Sequence, residues 1–175
     1  RDSARIVAKA LNCENGLENL CENNFCSNCE AIINSNHIDV LEIDAASRTG
    51  VDDVREIISS LKYRPSKGSY KVFIIDEVHM LSNSAFNALL KTIEEPPSFV
   101  KFIFCTTEIQ KIPITIVSRC QKYNLNRVSL NAICKHLEEI VELEKLDISK
   151  EAIATIARNS EGSIRDSLTI LDQCI

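Results

Sequence analysis

The stretch Lys71 to Leu81, KVFIIDEVHML, limits the possible folds more than any other part of the chain. Four apolar residues, Val72 to Ile75, run directly into two adjacent carboxylates, Asp76 and Glu77. Such a run, rich in β-branched residues and bounded by polar ones, predicts a strand buried on both faces of a parallel sheet. In open α/β sheets, ligands bind beyond the carboxyl ends of the strands. Two acids delivered there can divide the work of nucleoside triphosphate hydrolysis. Asp76 would help to hold Mg²⁺, and Glu77 would polarise the attacking water. The alternative is a strand followed by a solvated acidic turn, because short motifs of this kind also arise by chance.

The surrounding pattern extends the α/β reading. Residues 3–12 read as a helix with Ile6, Val7, Ala10 and Leu11 on one face, and a short helical stretch falls near 31–34. His37 to Ile43 reads as a strand, and Gly50-Val51 leads into a helix through Leu61. Pro65 to Gly68 marks a turn. Residues 84–95 carry Phe86, Leu89, Leu90 and Ile93 at helical spacing, and Pro96-Pro97 stops them. Val100 to Thr106 reads as another buried strand and Lys122 to Leu125 as a short one. Strands alternating with helices imply βα units and a mainly parallel sheet.

After Arg127 the strand pattern stops. Ser129, Ser149 and Ser163 can each cap a helix, with Asp166 three residues after Ser163 in a capping arrangement. The change predicts a boundary near residue 128, with an α/β core over 1–128 and a helical domain over 129–175. At 175 residues the chain suits such an arrangement and can bury a sizeable core. Its formal charge of −5 excludes a general basic field for nucleic acid, so any DNA contact must be local. No run of eighteen apolar residues and no secretory signal is present, so no membrane partner is expected.

Of eight cysteines, Cys105, Cys120, Cys134 and Cys174 are scattered through apolar segments and read as small buried hydrophobes. Cys13, Cys21, Cys26 and Cys29 instead fall within seventeen residues, spaced x7, x4 and x2. Four thiolates are the number that a closed, tetrahedral, structural zinc site requires. The residues between them have too little apolar content to fold by burial, which favours a metal. A disulfide pair or free surface thiols are the alternatives.

Three further positions carry potential chemistry. Thr106 and Thr107 end a buried strand, where hydroxyls beside the acid pair can meet a γ-phosphate or the attacking water; a plain β-branched strand end is the alternative. Arg119, in Ser118-Arg119-Cys120, is either an ordinary surface residue or an arginine finger for a neighbour's nucleotide. Arg165 lies in the first turn of the last helix, where cations are disfavoured unless an anion is near. That anion is either Asp166 or another acid, or a nucleotide phosphate.

The segments IDAASRTGVDDVREI, KVFIIDEVHML, FNALLKTIEEPP, TTEIQKIP, SRC and GSIRDS occur in the order found in one family. The chain resembles, over essentially its whole length, the gamma/tau subunits of the bacterial DNA polymerase III clamp loader. The resemblance implies an AAA+ P-loop-type parallel sheet, an inserted zinc module at 13–29 and a three-helix lid. Asp76 and Glu77 match the Walker B acids, and Thr107, or alternatively Thr106, matches the sensor 1 residue. Arg119 matches the trans-acting finger, Arg165 the sensor 2 arginine, and the four cysteines the zinc ligands. Expected cofactors are structural Zn²⁺, ATP and Mg²⁺. The implied activity is ATP hydrolysis within the polymerase III holoenzyme, whose nucleotidyltransferase it serves, to load a sliding clamp at primed sites. Expected partners are delta, delta-prime and further gamma/tau copies in a hetero-oligomer, the sliding clamp and primed DNA, in the cytoplasm at the nucleoid.

Two departures stand out. The cysteine spacing differs from the family's, which implies a remodelled middle loop. The glycine-rich phosphate loop, expected just before the helix at Ser3, and the strand before it are absent from the sequence, which suggests an N-terminal truncation and predicts a piece inactive by itself. A non-hydrolysing subunit resembling delta-prime is the runner-up reading, and a zinc-stapled interaction adaptor is a third. For DNA, Arg48, Thr49 and Arg55 at the start of a helix are the local candidates; the arginines otherwise pair with Asp52 and Asp53.

Overall fold

The computed structural model describes residues 1–22, 24–47 and 50–175, and all their side chains except those of Val51 and Asp53. It forms two compact units, Arg1–Lys122 and Tyr123–Ile175.

The first unit is built on a parallel sheet of three strands: β1 (Val40–Asp44), β2 (Lys71–Asp76) and β3 (Val100–Phe104), in the order β1-β2-β3. The helices are α1 (Asp2–Asn12), α2 (Ser27–Ile33), α3 (Val51–Ser60), α4 (Asn83–Glu94) and the single turn α5 (Ile114–Val117). β2 lies between its neighbours, and Val72, Phe73, Ile74 and Ile75 are completely buried. Alternation of side chains along the strand divides this apolar run between two layers. Phe73 and Ile75 pack with Val54 and Ile57 of α3, and with Phe86 and Leu89 of α4. Val72 and Ile74 pack with Ala4 and Ala8 of α1 and Ile32 of α2. The small alanines let α1 approach the sheet closely, and a three-layer core results.

Two buried polar arrangements fix the entry to β2. Asn12 Oδ1 accepts from Tyr70 N at 2.8 Å, and the backbone carbonyl of Asn12 accepts from Asn28 Nδ2 at 3.1 Å. The chain passes so close that a Cβ at Gly68 would lie 2.6 Å from Asn12 Oδ1, so glycine is required there. Below it, the buried Asp39 carboxylate accepts backbone N–H bonds from Ser66, Lys67 and Gly68 at 2.7–2.8 Å. Burial pushes the Asp39 carboxyl up, but those three donors outweigh it and hold it below its ordinary range. The turn at 65–68 is thus a cradle for one carboxylate. Nearby, Lys71 Nζ donates to the carbonyl of Ser60 at 2.9 Å, a cation at the C-terminus of α3.

Three strand expectations change. β1 starts at Val40 rather than His37, because His37 Nδ1 accepts from Asp39 N and folds the preceding residues into a turn. β3 stops at Phe104, so Thr106 lies in the loop beyond it. Residues 122–125 form no strand: they join no ladder among the described strands, and an extended segment is a strand only when its backbone is paired.

The second unit holds α6 (Leu130–Leu143), α7 (Lys150–Asn159) and α8 (Ile164–Gln173) around Ile133, Leu137, Ile153, Ile156, Ala157 and Leu171. Ser129, Ser149 and Ser163 cap the three helices by accepting from Ala132 N, Ala152 N and Asp166 N. Each serine thereby satisfies one of the orphan donors of its first turn.

Candidate functional site

The carboxyl edge of the sheet gathers the acids and hydroxyls of three different strands. Asp44 and Asp76 are register partners at the ends of β1 and β2. Ala45 N donates to the Asp76 carbonyl at 2.9 Å, which continues the pairing one residue beyond the ladder. At Glu77 the chain adopts a left-handed conformation, with φ 46 and ψ 43. A non-glycine residue there costs on the order of 1 kcal/mol, and such strain concentrates at functional sites. Glu77 N donates to Asp76 Oδ1 at 3.2 Å, so the two acids are tied locally.

The tip of β3 faces this pair. Thr107 Oγ1 donates to Glu77 Oε2 at 3.5 Å. Thr106 Oγ1 lies 3.0 Å from His79 Nδ1 and accepts from Glu108 N at 3.0 Å. The His79 ring, only 7% exposed, lies between two carboxylates: Nδ1 is 3.4 Å from Glu77 Oε2, and Nε2 is 3.4 Å from Glu108 Oε1. Lys111 holds Glu108 from the other side at 2.8 Å, and this ion pair keeps the Glu108 carboxyl below its ordinary range. The structure therefore brings Asp76, Glu77, Thr106 and Thr107 together at one edge. Asp44, His79 and Glu108 join them unannounced. Asp44 had a sequence signal, since it closes HIDVLEID level with the end of KVFIID. His79 had a weaker one, a single polar ring inside an apolar turn.

Arg119, two residues past α5, reaches back to the end of α4. Its Nη2 is 2.7 Å from Glu94 Oε1, and its Nη1 donates to the Thr115 carbonyl at 2.7 Å. Arg165 is exposed in the first turn of α8, and none of the ion pairs among the described residues includes it. Asp166 spends its backbone N–H on the Ser163 cap. Arg48 and Thr49 lie outside the described residues. Arg55 pairs with Asp52 at 2.9 Å, both well exposed, which is the ordinary surface arrangement.

The second candidate centre is the cysteine module. The Sγ atoms of Cys13, Cys21, Cys26 and Cys29 lie within 4.8 Å of one another, with Cys13 and Cys21 at 3.5 Å. A tetrahedral Zn²⁺ with Zn–S bonds of about 2.3 Å separates its sulfurs by about 3.8 Å, so the donor set fits such an ion. The thiols also polarise one another. Burial alone raises Cys26, but backbone donors at Glu14 and Cys29 and neighbouring thiols bring it down to about 7. Burial and the charge of its neighbours push Cys29 up. Four thiols sharing one small volume cannot all ionise unless a cation compensates them, and a bound metal does so. Their surroundings are thin: Leu17, Leu20 and Phe25 are exposed, and Lys9 covers the Phe25 ring at 4.1 Å.

Comparison with known proteins matches two successive parts of the chain. Residues 1–129 match the family described as DNA polymerase III, delta subunit. Residues 132–175 match the DNA polymerase III clamp loader subunit ATPase lid domain. The chain is 48% identical over 172 residues to DNA polymerase III subunit tau/gamma of Haemophilus influenzae, covering 98% of this chain and 25% of that protein. It is 49% identical over 174 residues to subunit tau of Bacillus subtilis, covering 99% and 31%. It is 47% identical over 173 residues to subunit gamma of Buchnera aphidicola subsp. Baizongia pistaciae, covering 98% and 46%. It thus spans between a quarter and just under half the length of these relatives. Among solved structures, the RuvB Holliday junction branch migration motor of Thermotoga maritima aligns with TM-score 0.62 at 20% identity, covering 79% of this chain and 46% of that one. That likeness concerns the fold alone, a parallel α/β sheet covered by helices. The chain belongs to the family of DNA polymerase III clamp-loader subunits, and its relatives there are the gamma/tau subunits.

Proposed function

We propose that the chain is the nucleotide-hydrolysing part of a clamp-loader subunit, which uses ATP to place a sliding clamp on primed DNA. The adjacency of Asp76 and Glu77 at the end of β2, with the Thr107 hydroxyl 3.5 Å from Glu77, carries this reading. In this reading Asp76 orients Mg²⁺ and Glu77 polarises the attacking water. Thr107 meets the γ-phosphate or that water, with Thr106 bracing the loop behind it. Arg165 is the lid's phosphate contact. Arg119 is a finger for the nucleotide of an adjacent subunit, such as another gamma/tau copy or delta-prime. Its exposure and its single ion pair to Glu94 leave it available for that transfer. The cysteines hold one structural Zn²⁺, and all four positions of that ion are protein ligands, so it takes no part in the hydrolysis.

DNA contact remains local in this scheme. Arg48, Thr49 and Arg55 are its candidates, for backbone phosphates and not for bases. The matched delta-subunit family over residues 1–129 favours one second reading, a subunit without hydrolytic activity. A water-polarising glutamate has no use in such a subunit, and Glu77 is present.

The test uses the full-length protein assembled with its partner subunits. Glu77→Gln should leave ATP binding intact and lower hydrolysis about 100-fold or more, as expected for loss of a general base. Hydrolysis unaffected by Glu77→Gln removes the reading. Arg119→Ala should lower hydrolysis in the assembly but not in the isolated subunit; an equal effect in both excludes the trans role.

A further inference from the structure

We propose that His79 is a positioning residue of the hydrolytic site: its ring holds the Glu77 carboxylate and the Thr106–Glu108 loop in one fixed separation. The inference rests on Glu77 being the residue that polarises water. β2 and β3 are joined by backbone bonds only as far as Cys105, which donates to the Ile75 carbonyl at 2.9 Å and accepts from Val78 N at 3.0 Å. Beyond that point the hydrogen bonds and ion pairs between the two strand tips, among the described residues, run through side chains. Thr107 reaches Glu77 over a long 3.5 Å. Every other link passes through His79, which touches Glu77, Thr106 and Glu108 with its two ring nitrogens.

The donor and acceptor count explains why a histidine suits this place. Thr106 Oγ1 accepts from Glu108 N and has a second lone pair that can accept from His79 Nδ1. The ring then donates from Nδ1, which also faces Glu77 Oε2 at 3.4 Å, while Nε2 faces Glu108 Oε1, a carboxylate anchored by Lys111. In either neutral tautomer one bare ring lone pair would face a carboxylate, so the ring bridges both acids with a proton on each nitrogen. An imidazole has two polar atoms on opposite sides of a rigid plane and only two side-chain torsions, so it can brace both tips at once. The ring is also nearly completely enclosed. Without it, the distance between the carboxylate and the sensor hydroxyl depends on the 3.5 Å contact alone. A displacement of about 1 Å at such a site lowers rates by on the order of 100-fold.

The experiment is steady-state ATP hydrolysis by the full-length protein assembled with its partner subunits, with kcat and KM resolved and melting temperature measured on each variant. Glu77→Gln is run beside His79→Ala, His79→Asn, His79→Gln and Glu108→Gln. His79→Ala should lower kcat about 10- to 100-fold while KM changes less than about three-fold. His79→Asn keeps a polar atom at the Nδ1 position and should recover part of that loss. His79→Gln keeps one at Nε2 and should recover less. Glu108→Gln should lower kcat less than any His79 variant. The proposal is overturned if His79→Ala retains kcat within about two-fold of wild type. It is also overturned if Asn, Gln and Ala lose activity equally and in step with melting temperature, since the ring then only supports packing. If Glu77→Gln retains hydrolysis, the functional reading itself fails; if Glu77→Gln is inactive and the His79 variants are not, only this inference fails.

Discussion

The cysteine module and the sheet beside it are neighbours in one unit, yet they are held by opposite means. Between Cys13 and Cys29 the larger apolar side chains, Leu17, Leu20 and Phe25, are exposed, and the thiols themselves are the centre. In β2, four consecutive residues are completely buried and make two core layers from one strand. One region offers ligands in place of a core; the other offers a core and carries its chemistry only at the edge. A short loop can thus acquire a fixed shape with almost no apolar burial, provided an ion supplies the free energy. The sheet edge can hold a strained, acid-rich turn because the layers beneath it are saturated.

The largest effect should come from removing the metal. Protein purified without added zinc should contain close to one equivalent, and changing Cys26 and Cys29 to serine should abolish it. Structural zinc contributes on the order of 10 kcal/mol to such modules, so hydrogen exchange over residues 13–33 should become fast in the double variant while β2 stays protected. Full zinc retention would remove the ligand assignment, and simultaneous loss of protection in β2 would break the division between the two regions.

Next is the core. Phe73→Ala should destabilise the protein by about 3–5 kcal/mol in denaturant unfolding, with zinc content unchanged. A smaller effect belongs to Asp39, the one buried acidic residue among the described residues. Asp39→Asn weakens three charge-assisted backbone bonds and should lower stability by roughly 1–3 kcal/mol. Its folded pKa lies below the ordinary value of 3.8, so its contribution is complete above that value and is lost as the pH falls through the folded pKa. The wild type should therefore lose part of its stability advantage over Asp39→Asn at acid pH, and a difference that grows as pH falls would contradict the cradle. The smallest effect is on the surface: Arg55→Ala should change stability by at most about 0.5 kcal/mol. If it also leaves primer-template affinity and salt dependence unchanged in the assembled protein, Arg55 belongs to the Asp52 pair and not to DNA.

Local order was legible wherever one side-chain pattern dominated. The apolar run of β2, the helical spacing of α4 and the serine caps of α6, α7 and α8 each state their conformation within about ten residues. The strand expected at 122–125 failed for the opposite reason: extended residues become a strand only through a partner, and pairing is not written in the segment itself. Likewise, the start of β1 moved because a buried histidine captured the N–H of Asp39, a choice that alternation cannot express.

What the sequence determined by itself is the supply of chemistry: four thiols close together along the chain, two acids at a strand end, hydroxyls at the next, and arginines at SRC and GSIRDS. Adjacent residues stay adjacent whatever the fold does. Tertiary structure alone decided the meetings: Asp44 level with Asp76, His79 between Glu77 and Glu108, and Arg119 on Glu94. These depend on strand register and on where the loops return the chain. Register is set by burial of whole faces, so the polar groups at the edge meet as a consequence of packing in the layers below them.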